Sequence, residues 1–327
     1  MKIAIGFITY NADTAKYLPY FLDSLFKSLE SWSKSDFLVL ARDNSEEPNN
    51  YNREYIEEVF NKEAELIKFR WSGENVGFAK SYNAMIEEAD NFGAEAFLMI
   101  NPDTVVAPDM VTKLVAALES DKILGSVAPK ILSWDFANLK LTNKIDTCGL
   151  MLSAGLVFTD IGQGLVDSGQ FHDISILGPS GAAGLYRMSA LKTVKETTGY
   201  LDERMFMYKE DCDLAYRLYL AGFSSKLVPE ALVYHDRSVS AAGEGFLASL
   251  KNRSGKSRQV RSWSFLNQHL LYIKFLSKQT LADKFKIFVR IGLFGIYAIF
   301  KEPFLLKNYA KIRQYCKEQR QTKNTID

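Results

Sequence analysis

The chain has 327 residues, 47% of them hydrophobic and 24% charged, a balance that suits a packed globular protein and excludes disordered, collagen-like and low-complexity classes. Its three cysteines, Cys148, Cys212 and Cys316, are too few and too scattered for a disulfide framework or a Cys-rich zinc site, which points to a reducing, cytoplasmic setting. The net charge of +1 conceals an asymmetry: residues 246–327 hold 17 Lys and Arg against 4 Asp and Glu, while residues 1–245 hold 23 against 35. A split of that size predicts that the basic segment meets something anionic.

The first half alternates two periodicities. Ile3–Ile8 is a continuous apolar run of strand length, and its break at Tyr10 and Asn11 argues against a secretory leader. Over Asp13–Ser31 the apolar residues Leu18, Phe21, Leu22, Leu25 and Leu29 recur at helical spacing. Phe37–Leu40 reads as a strand that runs into the turn chemistry of Asp43, Asn44 and Ser45. Tyr55–Lys62 reads as helix, Glu65–Phe69 as strand, Asn75–Gly77 as turn, Phe78–Asp90 as helix and Ala96–Ile100 as strand, closed by Asn101, Pro102 and Asp103. This order implies an α/β fold with a mostly parallel sheet flanked by helices. Such sheets bind ligands beyond the carboxyl ends of their strands, where three polar clusters of this chain would converge.

Residues 125–179 carry a looser, β-type pattern, followed by the Gly-rich segment Gly178–Gly184. Phe206–Gly222 reads as a helix with acids near its start, and Lys226–His235 as a strand. Beyond residue 245 the sequence turns basic, aromatic and helical. The expected division is therefore a catalytic domain over 1–245, with halves at about 1–125 and 126–245, and a helical region over 246–327. Ile291–Phe300 lacks charge but is half the length needed to span a bilayer.

Taken in order, Ile8-Thr9-Tyr10-Asn11, Asp43-Asn44-Ser45, Asn75 to Ala79 with Asn83, Asn101-Pro102-Asp103, Gly178 to Gly181, Glu210-Asp211-Cys212-Asp213 with Arg217 and Gly222, and finally His235 resemble the motif set of the family 2 inverting glycosyltransferases, within them the bacterial rhamnosyltransferase-like branch. The resemblance covers roughly residues 3–237 and implies the GT-A fold. It implies that Thr9, Tyr10, Asn11, Asp43, Asn75, Gly77, Lys80 and Asp103 bind the donor nucleotide, with Asp43 at the base. It makes Asp211 the catalytic base and places Gly181, Glu210 and Asp213 at the acceptor. Asp103 and His235 would hold a divalent cation, Mn²⁺ or Mg²⁺, although Asn101 stands where the family's metal motif has its first Asp.

Each of these residues also has a plainer reading. Asp43 can cap its turn, Asn75 can cap its helix, and three acids at a helix start complement the positive helix end. Arg217 lies four residues after Asp213, at salt-bridge spacing. The implied partners are a dTDP- or UDP-sugar donor and a saccharide or lipid-linked acceptor for surface polysaccharide assembly. The basic region suggests an anionic membrane surface, at the inner face of the cell membrane, or a homodimer contact; no nucleic-acid module accompanies it. A nucleotidyltransferase would want a Gly-rich basic loop where Thr9–Asp13 stands. A catalytically silent nucleotide-binding scaffold stays open because of Asn101.

Overall fold

The computed structural model describes residues 1–62, 65–172, 174–237 and 255–324. The chain divides into two compact units, the first made of residues 1–151, 160–206 and 210–243, the second of 152–159, 207–209 and 244–327. The expected boundary at residue 245 lies outside the described residues.

The first unit is built on a ten-stranded sheet. Strands β1 (Ile3–Thr9), β2 (Phe37–Asp43), β3 (Ile67–Trp71) and β4 (Ala96–Ile100) are parallel, with β1 between β2 and β4 and β3 outside β2. The apolar runs of β1 and β4, in the middle of the sheet, are buried on both faces, as parallel strands between helices must be, while β3 at the edge is largely exposed. Short β5 (Thr104–Val106) follows β4, and long β6 (Leu124–Asp135) pairs antiparallel with β7 (Lys140–Thr147). Of the later strands, β8 (Leu150–Ser153) and β9 (Val157–Asp160) form a hairpin, and β10 (Ser175–Ile176) is a short edge. Strand β11 (Ala183–Arg187) runs antiparallel between β4 and β6, so the sheet is mixed. Strand β12 (Ser224–His235) runs parallel to β6, and its register slips between Val228 and Leu232, where Pro229 lies.

Helices cover the sheet. The stretch that reads as one helix over Asp13–Ser31 is two, α1 (Asn11–Ala15) and α2 (Leu18–Lys27). Pro19 sits in the first turn of α2, where its missing N–H costs nothing, and it forbids continuation from α1. After α3 (Tyr51–Glu54) the chain makes a π-helical turn over Tyr55–Phe60. Then come α4 (Phe78–Phe92), α5 (Met110–Ser120), α6 (Met188–Thr193) and α7 (Glu210–Leu220). One buried cluster, with Phe7, Phe21 and Leu114, and another, with Tyr82, Phe97 and Leu214, form the core.

The second unit holds α8 (Arg258–Phe275), α9 (Leu281–Phe300) and α10 (Asn308–Asn324). Phe265, Ala298 and Leu305 are its buried centre, and Arg261 pairs with buried Glu302 at 2.6 Å. It also holds Met207–Lys209, which explains why the helix expected from Phe206 begins only at Glu210. Tyr208 and Lys209 take φ of 74° and 76°, a left-handed conformation that interrupts any helix. The Asn267 side-chain amide donates to Met207 O at 2.9 Å and Tyr208 O at 2.7 Å.

Candidate active site

Parallel pairing brings the strand ends together. Thr9 is in register with Asp43, and Asp43 with Trp71. Asp43 is fully buried, and its carboxylate is a hub. Oδ1 accepts from Thr9 Oγ1 at 2.8 Å, Ser45 Oγ at 2.6 Å and Ser45 N, while Oδ2 accepts from Asn50 Nδ2 at 2.8 Å. Asn11 N donates to Ser45 Oγ, which ties the end of β1 to the same hub. The carboxylate thus holds the turn, and exposed groups surround it. Tyr10 is half-buried, and Trp71, which sequence reasoning missed, is 37% exposed with its indole N–H donating to Ser45 O at 2.9 Å. An aromatic ending a strand beside a turn was the available signal.

The turn before α4 is built differently from expectation. Asn75 Oδ1 accepts from Gly77 N, as a cap does. Gly77 has φ of 84°, and a Cβ there would meet Phe206 O at 2.6 Å. The glycine therefore admits a neighbouring backbone, and the first N–H of α4, at Phe78, donates to that same Phe206 O at 2.8 Å. A free helix end for an anion is reduced accordingly. Lys80 remains exposed on the first turn.

At the other strand ends the charges form a chain. His235, at the end of β12 and in register with Thr104, has Nε2 3.3 Å from Asp103 Oδ2 and Nδ1 2.8 Å from Asp146 Oδ2. Arg237 then reaches Asp146 Oδ1 at 2.9 Å and Asp160 Oδ2 at 3.1 Å. Burial opposes charge on His235, but the two carboxylates outweigh it and push the imidazole up to about 10. Burial likewise works against ionised Asp146, yet His235 and Arg237 hold it below the usual carboxylate range. Asp160 is raised, by burial first and also by the charges of Asp146 and Asp211, so Asp211 lies within electrostatic reach of this chain. A cavity of about 370 Å³ beside it is lined by Lys144, Asp146, Gln163 and Arg237 among others.

These residues fit a divalent cation. Asp103 Oδ1 is buried with no hydrogen-bond partner among the described residues. Beside it stands an imidazole whose far nitrogen is fixed by a carboxylate, the arrangement that orients metal-binding histidines. Sequence reasoning missed Asp146, Asp160 and Arg237: Asp146 comes to His235 through the pairing of β6 with both β7 and β12, Asp160 comes from the end of β9, and Arg237, two residues beyond His235, joins them.

The acidic start of α7 splits into separate roles. Asp211 is partly exposed, accepts Gly181 N at 2.9 Å on Oδ2 and Cys212 N at 2.7 Å on Oδ1, and so has a fixed carboxylate. Gly181 meets it through its backbone, in a segment where neighbouring Gly178 and Gly184 are required by close packing against Ala215 and Pro179. Glu210 is 5% exposed. Asp213 is wholly buried and pairs with Arg217 at 2.7 Å, so the i,i+4 salt bridge describes it and it does not reach an acceptor. Carboxylate oxygens of Glu196, Asp202 and Asp213 also lie within 4.8 Å of one another, spacing that would suit a cation. There, however, the Arg204 and Arg217 guanidiniums already supply positive charge.

The profile of the family described as Glycosyl transferase family 2 matches residues 5–193. No curated protein sequence matches the chain. Among solved structures, the fold is similar to S. aureus TarS (17% identity, TM-score 0.51, covering 84% of this chain and 43% of that one). It is similar to the mannosyltransferase PcManGT from Pyrobaculum calidifontis in complex with GDP-Man and Mn²⁺ (13%, TM-score 0.53, 95% and 73%). It is also similar to GalNAc-T7 with UDP, GalNAc and Mn²⁺ (12%, TM-score 0.55, 86% and 52%). The chain thus spans less than half the length of TarS. With more than half of its residues in one family domain, and with strand-end clusters converging as the GT-A fold demands, the chain belongs to glycosyl transferase family 2.

Proposed function

We propose that this chain is an inverting glycosyltransferase that moves a sugar from a nucleotide diphosphate to a hydroxyl of a saccharide or lipid-linked saccharide. The observation that carries the reading is the Asp211 carboxylate, fixed by two backbone N–H groups yet partly exposed, with its charge acting on Asp160 at the end of the chain of ion pairs that runs through Arg237 and Asp146 to His235. Asp211 takes the proton of the acceptor hydroxyl as that oxygen bonds to the anomeric carbon. The bond from that carbon to the diphosphate breaks, and the leaving group departs with the electron pair from the opposite face, which inverts the centre. Tyr10, Asn11 and Trp71 receive the nucleoside beside the Asp43 hub, which Thr9, wholly buried, braces from within, and Lys80 faces the phosphates. Gly181 and Glu210 line the acceptor side. Asp103 and His235 would hold Mn²⁺ or Mg²⁺, which supplies charge neutralisation for the departing diphosphate. The relatives crystallised with GDP-Man or UDP and with Mn²⁺ support a nucleotide-sugar donor of this kind. The motif resemblance makes dTDP-rhamnose the first donor to test and surface polysaccharide the setting.

The test is a panel of dTDP-, UDP- and GDP-sugars with the product anomer read by NMR, run for the native chain and Asp211→Asn. Inverted product from the native chain, with transfer lowered roughly 10²- to 10⁴-fold in Asp211→Asn and nucleotide binding retained, is expected. Equal turnover in the variant would remove Asp211 as the base, and a retained anomer would remove the single displacement.

A further inference from the structure

Helix α9 carries its large apolar residues on the outside. Leu281, Phe285, Phe288, Leu293, Ile296 and Phe300 are between 51% and 84% exposed. At ~100° per residue they fall within one arc of about 140°. The opposite side of the helix already satisfies the core of the second unit. Ile287 and Ala298 are buried there, and Phe294 meets Phe265 edge-on at 6.2 Å. The exposed arc is therefore surplus to folding and far larger than the scattered apolar residues of an ordinary surface.

Charge specifies what covers it. On the helical wheel Lys284 borders the arc on one side and Lys286 on the other. The helix's one acid, Asp283, is engaged at its start by Thr280 Oγ1 and Gly155 N. The surrounding segment, residues 246–327, has a surplus of 13 positive charges. A second copy seated on this face would bring two such segments together and repel. No helix among the described residues is long and apolar enough to cross a membrane, and α9 is interrupted by Lys284, Lys286 and Arg290. An apolar arc bordered by lysines instead suits a helix lying in the plane of an anionic lipid surface, with rings among the acyl chains and ammonium groups at the phosphates. Beside Phe288 the apolar surface continues into a groove of about 440 Å³ lined by Ile273 and Leu276.

We infer that α9 is an in-plane membrane anchor, with Phe285 and Ile296 inserted and Lys284 and Lys286 reading anionic headgroups. This interaction stands on the helix face and does not require that sugar transfer be the chain's activity. The test is flotation of the full chain with vesicles of phosphatidylcholine alone or mixed with phosphatidylglycerol, at about 0.15 M salt. The mixed vesicles should carry the protein at least about tenfold better. Phe285→Ser with Ile296→Ser should abolish that recovery while helix content and melting temperature stay unchanged, since both side chains are exposed. Lys284→Gln with Lys286→Gln should weaken binding and flatten its salt dependence. Absence of the native chain from mixed vesicles, or equal recovery of the serine pair, overturns the inference. So does a dimer in light scattering that the serine pair dissociates, which would assign the face to a second copy.

Discussion

His235 and Asp146 are bound to each other at 2.8 Å through Nδ1, so Nε2 is aimed at Asp103. Carboxylates in that position fix the tautomer and raise the basicity of a ligating imidazole. Asp146→Asn should therefore lower Mn²⁺ affinity about 10- to 100-fold while leaving the ligand atoms in place. Calorimetric titration of Mn²⁺ in the presence of nucleotide measures it; unchanged affinity would separate Asp146 from the cation.

Gly77 is fixed by the backbone it touches. Both its φ of 84° and the 2.6 Å approach of a virtual Cβ to Phe206 O oppose any side chain. Gly77→Ala should cost more than about 1 kcal/mol, because strain and overpacking act together and the obstacle is a carbonyl that cannot rotate away. Urea unfolding of the native and variant chains gives the difference.

The paired left-handed residues before α7 invite the opposite change. Lys209→Gly should stabilise the protein by up to about 1 kcal/mol, since glycine adopts that φ without steric penalty and loses part of the gain to backbone entropy. Asn267→Ala should destabilise by ~2 kcal/mol, by removing two donated bonds from carbonyls of the strained segment. Thermal melts of both variants, read together, distinguish strain from generic packing loss.

His269 makes the second unit sensitive to acid. Burial lowers its pKa below the ordinary value, Nδ1 donates to Phe265 O at 2.8 Å, and Nε2 is buried with no hydrogen-bond partner among the described residues, so the folded state holds the neutral ring. The unfolded chain binds a proton near its ordinary pKa of about 6.5 and the folded chain binds it only lower, so stability is intact above that pH and falls as pH drops below it. Melting temperature followed from pH 7.5 to 5 should decline less in His269→Gln than in the native chain; parallel curves would refute the assignment.

Much of the site was legible because parallel strands announce themselves. The apolar runs ending at Thr9, Asp43 and Ile100 locate the strands, and their order places the polar ends on one edge. Arg217 with Asp213 was legible too, since i,i+4 spacing is local. Pro19 was visible, yet helical periodicity runs across it and masks the break between α1 and α2. Asp146 and Asp160 could not be found, because their meeting with His235 and Arg237 depends on which strands lie side by side in the sheet, which leaves no pattern within any one segment; Arg237 stands two residues after His235, but nothing local marks the carboxylates it pairs with. Asp213 and Asp211 are two residues apart and indistinguishable in composition; only the helix face each occupies decides that one is sealed and the other reachable.

The slip in β12 has a bearing on how insertions and deletions are tolerated. Val228 is opposite Pro129 and Leu232 opposite Lys130, so three residues are looped out before the strand resumes. Losing one of those looped-out residues shortens the loop and leaves the later register in place, whereas side chains alternate along the resumed strand, so losing one residue between Leu232 and His235 would swap parity at its end. His235 would then point through the sheet to the wrong side, and the imidazole would be lost to Asp103 without a single substitution at either position.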